Sequence, residues 1–291
     1  MDRIVGSGIE SVLRKVLHTL REKDMLEPAL NPSIDAILDA VENASSPVTC
    51  RAVDYEYDRV MGAHAHTKHQ LVYAVHGVMS VRAETGFWVI PPSRGLWIPA
   101  GTTHAVRCIG EVHMRSLYVR QDAAPGLMTT CCAVGISPLL RELIRAAAEV
   151  RHPYAPESRD GRLMRLLLDE LHALPVLPLH LPMPTDPRAL QICQSLEQQP
   201  DDPSTLADWA DRLAVDVKTI QRLFAAQTGM TFGRWRQQAR LLRALELIAG
   251  GRKIIDVAMA LGYDSPGAFA TMFRKQFGLA PSQFFDGTAS G

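Results

Sequence analysis

Hydrophobic spacing gives the 291-residue chain three textures. Near the N-terminus Ile9, Val12, Leu13, Val16, Leu17 and Leu20 recur at helical spacing, with Ser7 placed to cap, and a shorter helix is expected over 33–41. From about Val48 to Tyr118 the apolar runs are short, rich in Val, Tyr, Ile and Trp, and separated by Gly and Pro. Runs at 70–75, 78–82, 87–90, 95–98 and 115–119 predict an all-β sandwich or barrel. Helical period returns from Pro138 to Leu174, where Leu139, Leu140, Leu143, Ile144, Leu163, Leu166 and Leu167 exceed what one small barrel needs. They serve either a dimer seam or packing within one chain. Pro175, Pro178, Pro182, Pro184 and Pro187 follow; proline fixes φ and removes a backbone donor, so this stretch reads as a semi-rigid linker. From Arg188 to about Phe285 the period is helical throughout.

This last third contains a near-repeat about 49 residues apart. The first copy runs from Leu206 to Gly229 and the second from Ile254 to Gly278. Phe224 pairs with Phe273 and Gly229 with Gly278, whereas Ala210 and Ala258 match one residue out of step, which places a one-residue difference in the central turn. Each copy reads as helix, tight turn, helix. Ala210 and Ala258 allow close helix crossing, Gly262 permits positive φ, and Asp216 and Ser265 can cap the second helices. Ile220, Leu223, Phe224, Phe269, Met272 and Phe273 face a core. Val217, Lys218, Thr219, Gln221 and Arg222 are then left outward on one second helix, and Pro266, Gly267, Ala270, Thr271 and Arg274 on the other.

Such a helix fits the major groove, where Gln and Arg can contact adenine and guanine in bidentate fashion. Lys218, Arg222, Arg274 and Lys275 can also meet phosphates. Net charge over the whole chain is zero, but Ser204 to Phe285 carries 11 Lys/Arg against 6 Asp/Glu, a local surplus that suits a polyanion. The intervening helix, Phe232 to Gly250, is expected to hold the two readers about one DNA turn, ~34 Å, apart. On VKTIQRLF, TFGRWRQQARLLRALELI and IIDVAMALGYDSPGAFATMFRKQFGLAPSQF, residues 188–285 resemble the C-terminal domain of AraC/XylS-family regulators. Gly267 and Ala268 stand where members of that family often carry larger or polar residues.

Six of the ten histidines fall between His64 and His113. His64 and His66 share one side of a strand, Gln70 follows at even spacing, and Pro99 and Gly101 set a turn before His104. This pattern resembles the two motifs of cupins, β-barrels whose metal ligands are commonly three His and a Glu. By that resemblance His64, His66, Gln70 and His104 occupy the ligand positions of a divalent metal, with a neutral amide replacing the carboxylate. Many cupin-bearing regulators hold no metal, and a polar pocket is the alternative. His69 and His76 lie off the pattern, and Tyr73, Trp88 and Trp97 read as core or pocket wall.

The expected architecture is α+β: an N-terminal cupin-like β-barrel with flanking helices, then an all-α domain of two helix-turn-helix units joined by a connecting helix. Its divisions are an N-terminal helical segment (1–47), an effector- or metal-binding barrel (48–136), a helical and Pro-rich linker with dimer contacts (137–187) and a DNA-binding domain (188–286). Five irregularly spaced cysteines without a C-x-x-C, no apolar span of membrane length and no signal segment predict a cytoplasmic protein. The expected function is sequence-specific transcription regulation as a homodimer on double-stranded DNA, controlled by a small molecule or metal, with contact to the transcription machinery if it activates. No readable motif of a nucleophilic triad, phosphate loop or carboxylate pair points to an enzyme. The alternative from another class is a metal-dependent cupin-type enzyme built on the same histidines.

Overall fold

The structure, a computed structural model, describes residues 42–286 apart from 57, 93 and 178. The helices expected near 9–20 and over 33–41 lie outside the described residues. The first half of the described chain is a nine-stranded antiparallel sheet. Its strands are β1 Val48–Tyr55, β2 Arg59–His64, β3 His69–Ala83, β4 Gly86–Ile90, β5 Arg94–Ile98, β6 His104–Val119, β7 Cys132–Gly135, β8 Val176–Leu177 and β9 His180–Pro182.

Two long strands, β3 and β6, pair with each other and are shared by two layers. The early half of β3 pairs with β5, and the late half of β6 with β1. The late half of β3 pairs with β4, and the early half of β6 with β2. Because alternate residues face opposite sides, each layer sends one set of side chains inward. Val72, Ala74, Leu96, Ile98 and Met114 from one layer meet Met79, Val81, Trp88, Ile90 and Val106 from the other in the barrel interior. The sequence suggested a break at Gly77. Instead β3 runs on through it, with register shifts between Ala74, His76 and Val78. Gly77 has φ +83°, and a Cβ there would lie 2.1 Å from the Glu111 carbonyl oxygen, so the bulge requires glycine.

Each layer also has an apolar outer face. Leu71, Tyr73, Trp97, Leu117 and Val119 are covered by α1 (Pro138–Ala147) and α2 (Arg159–His172), whose Leu140, Ile144, Met164, Leu167 and Leu171 are buried on them. Of the leucines considered for a dimer seam, Leu140 and Leu167 are therefore used within the chain, as is Ile144; Leu143 and Leu163 are half-buried, and Leu139 and Leu166 stay exposed. The other outer face, with Val78, Val89, Ile109 and Leu181, shares one core with the helices that follow. Those helices are α3 (Pro187–Gln198), α4 (Leu206–Arg212), α5 (Val217–Thr228), α6 (Phe232–Ala249), α7 (Ile254–Ala260), α8 (Pro266–Phe277) and α9 (Pro281–Asp286). The Trp235 indole N–H on α6 donates to the Pro182 carbonyl at 2.8 Å, and Arg82 on β3 pairs with Glu197 on α3 at 3.3 Å.

The proline-rich stretch read as a linker is itself part of the sheet. β8 pairs with β7, β9 pairs with β4, and Leu179 between them is buried in the barrel interior. His180 stacks on Trp88 with ring centroids 4.6 Å apart, and a Cβ on Gly86 would fall 2.3 Å from the His180 Nε2. Prolines at 175 and 182 suit this arrangement because short edge strands tolerate residues without a donor.

Each of Val78, Val89, Ile109 and Leu181 contributes about 1.5–3 kcal/mol by staying out of water. Leu181→Asp places a charge in that shared core and should uncouple barrel from helices. Differential scanning calorimetry is expected to show two separated transitions in the variant where the wild type shows one.

Candidate DNA interface and histidine site

Both halves of the repeat fold alike. Thr205 opens α4 with a capping box: its Oγ1 accepts from the Asp208 N–H, and the Asp208 carboxylate accepts from the Thr205 N–H at 2.7 Å. Ala210 and Ala258 are buried at the helix crossings. The first turn closes with Val215 N–H to the Ala210 carbonyl, the second with Tyr263 N–H to the Ala258 carbonyl, both at 3.0 Å. Ala214 (φ 51°) and Gly262 (φ 70°) hold the same left-handed position. Asp216 caps α5 and Ser265 caps α8, so the extra residue of the second copy is the turn residue Asp264. Gly229 and Gly278 end the two helices in the left-handed region.

Ile220 and Phe224 on α5, and Phe269 and Phe273 on α8, are fully buried. Lys218, Gln221 and Arg222 are exposed on α5, while Val217 and Thr219 are half-buried, Val217 against the core. On α8, Pro266, Gly267, Thr271 and Arg274 are exposed and Ala270 is half-buried. On α1 and α2, Arg141, Arg145, Arg159 and Arg165 sit beside carboxylates, while Arg162 donates to the Glu157 backbone carbonyl. Lys218, Arg222 and Arg274 form no ion pair among the described residues, and so offer their charge to solvent. Arg236 and Arg240, also in the basic third, are spent internally on the carbonyls of Ser204 and Pro200.

In the barrel, His64 ends β2, His104 opens β6, and the two face each other in register. His66 follows in the β2–β3 turn, and Gln70 lies at the start of β3 beside Tyr118. One donor nitrogen from each of His64, His66 and His104 lies within 4.8 Å of the others. His64 Nδ1 bonds the Gly62 carbonyl at 2.7 Å and His104 Nδ1 the Thr102 carbonyl at 2.9 Å. A carbonyl only accepts, so both Nδ1 atoms carry the proton when the rings are neutral, and both Nε2 atoms present a lone pair. His66 Nδ1 meets the Glu42 carboxylate at 3.3 Å.

Burial, with the neighbouring His64, holds His66 below the ordinary imidazole range, and burial pushes His104 down to about 4. Both are thus neutral at pH 7, the form that ligates metal. The Nε2 atoms of His66 and His104 are buried without a partner, as is the Gln70 Oε1, while the Gln70 amide donates to the Tyr118 hydroxyl at 3.1 Å. The three imidazoles brought together, two of them with buried, unpartnered Nε2 atoms, suit a borderline divalent ion such as zinc, cobalt or nickel.

His69 and His76 take no part: His69 accepts from the Ala100 N–H and stacks on Trp97, and His76 pairs with His113. Tyr73, Trp88 and Trp97 are core residues. Glu42 was not foreseen, because it lies 24 residues before its partner and belongs to no motif.

Residues 209–287 match the helix-turn-helix domain family, and residues 46–174 match the AraC-like ligand binding domain. The HTH-type transcriptional regulator NimR of Escherichia coli K12 is 35% identical over 221 residues, covering 76% of this chain and 81% of that one. The chain belongs to the AraC/XylS family of transcriptional regulators. It joins a cupin-like ligand-binding domain to a DNA-binding domain of two helix-turn-helix units. Two further relatives match shorter stretches. RipA of Corynebacterium glutamicum is 32% identical over 106 residues, 36% of this chain and 32% of its own. SoxS of Salmonella typhimurium is 37% identical over 95 residues, 28% of this chain and 89% of its own. No helix among the described residues is long and apolar enough to cross a membrane.

The turn geometry makes a test of the repeat. Ala214 holds φ 51° at a cost of about 1 kcal/mol that glycine avoids. Ala214→Gly should raise the urea midpoint. Gly262→Ala should lower it further than the first change raises it, because the new Cβ also meets the Asp201 Cα at 3.1 Å and Arg240 at 3.2 Å.

Proposed function

We propose that this regulator reads double-stranded DNA with α5 and α8 in successive major grooves, and that a divalent metal held by His64, His66 and His104, with Gln70 beside them, is its effector or anchors one. The observation that carries the DNA assignment is the pair of capped second helices with outward, unpaired cations: Lys218 and Arg222 on one, Arg274 on the other. Val217, Thr219 and Gln221 on α5, and Pro266, Gly267, Ala270 and Thr271 on α8, complete the two reading faces. The smaller side chains of α8 favour close approach to the groove over base-specific hydrogen bonds. α6 spans about 27 Å at the usual rise, enough to set the two readers about one DNA turn apart.

The metal would supply a fixed positive charge that draws the three imidazoles together. An effector changes DNA binding only through different affinity for two arrangements of the protein. The element able to report such a difference is the segment 176–182, which sits in the sheet and leads directly into the reading domain. The working form is a homodimer, with exposed Leu139 and Leu166 as its contact, acting in the cytoplasm where its DNA is, and meeting the transcription machinery if it activates. We assign the division of labour to a helical segment at 1–47, the barrel at 48–136, helices and strap at 137–187 and the reader at 188–286. The chain performs no turnover in this reading. A cupin-type metal enzyme would use the same three histidines, and turnover of any substrate by the metal-loaded protein would favour it.

Two measurements test the proposal. Arg222→Ala or Gln221→Ala should weaken binding to a selected DNA site by about 1–3 kcal/mol, read by fluorescence anisotropy at fixed salt; unchanged affinity would remove α5 from the groove. Plasma mass spectrometry of untagged protein should find near-stoichiometric metal, absent from a His64→Ala/His104→Ala double variant. No uptake by either protein in excess divalent ion would leave the barrel to organic effectors.

A further inference from the structure

The set His64, His66, His104 and Gln70 carries no negative charge of its own. A divalent ion bound by neutral groups alone keeps its full charge, which costs affinity in a buried place. Among the described residues, Glu42 is the carboxylate that a hydrogen bond ties to this set. It does not point at the shared space. Its Oε1 meets His66 Nδ1 at 3.3 Å, and both its oxygens accept from the Thr67 N–H at 3.2 Å, with the Thr67 hydroxyl as a further donor.

The backbone just beyond Glu42 is itself fastened. The Lys68 ammonium, a buried group, donates to the Ala44 carbonyl at 2.7 Å, and Arg120 donates to the Ser45 carbonyl at 2.8 Å. His64 and His104 are oriented by neutral backbone carbonyls two residues back, so His66 differs from them in facing a charged partner.

We infer that Glu42 is a positioning residue of the histidine site: by accepting the His66 Nδ1–H it fixes that ring's tautomer and direction and supplies, one step away from the ion, the negative charge that Gln70 does not. The inference rests on the metal reading above. An imidazole whose N–H faces a carboxylate is a more basic ligand through its other nitrogen, and removal of such a partner typically costs 10–100-fold in metal affinity.

The test is titration of the full chain with Co²⁺ alone, followed by its d–d absorption. Glu42→Gln keeps an oxygen for His66 and Thr67 and removes only the charge. It should weaken Co²⁺ binding about 10–100-fold, shift the absorption band and leave the melting temperature of the metal-free protein unchanged. Thr67→Val, which removes the hydroxyl but not the His66 contact, should bind as the wild type does. Wild-type affinity in Glu42→Gln would overturn the inference while leaving the metal site standing. Equal weakening in Thr67→Val would also overturn it, by showing that Glu42 acts only through the turn. Failure of the wild type itself to bind Co²⁺ would remove the metal reading, and the inference with it.

Discussion

An apolar β-layer cannot leave its outer face in water, and in this protein the two layers of the barrel solve that problem differently. One is covered by α1 and α2, helices belonging to the barrel half of the chain. The other is covered by the DNA-reading half, so that Val78, Val89, Ile109 and Leu181 sit in the same core as Trp235, Leu242 and Phe224. The reader is thereby built onto the sensor rather than tethered beside it. Burial of this kind is worth far more than the surface ion pair between Arg82 and Glu197 that accompanies it.

In the proposed reading, that shared core is the route from the histidine site to the DNA-reading helices. His104 begins the same strand, β6, that carries Ile109 into the shared core. The segment between sensor and reader adds strand pairing at two edges of the sheet and buries Leu179 in the interior. Any rearrangement of the interior must be accommodated by a close-packed set of side chains that includes the chain leading into α3. Under the proposed metal reading, a change in the barrel interior on binding would be passed to the chain that leads into α3.

Much of this was legible in the sequence because it rests on local physics. The repeat, its caps and its turns depend on residues within a few positions of one another, and the one-residue offset resolved to Asp264. The histidine gathering was legible in part: the Pro-Gly turn does precede His104, but His64 and His66 were expected to share one face of a strand, whereas β2 ends at His64 and the turn that follows carries His66. Long-range pairing was not legible. Gly77 read as a break because sequence does not show that Glu111 approaches it; the glycine serves a bulge instead. The prolines read as a linker because a two- or three-residue edge strand has no periodicity to display. Glu42 was silent for the same reason: its meaning lies entirely in a partner 24 residues away.

The measurement closest to the centre of the account is selection of binding sites from a random double-stranded DNA pool by the full chain. Two geometrically fixed readers should enrich a pair of short motifs whose centres lie about one helical turn, roughly 10–10.5 base pairs, apart, with the motif read by α5 losing its preference in Arg222→Ala. Enrichment of a single undivided motif, or of none above the background of general polyanion binding, would contradict it.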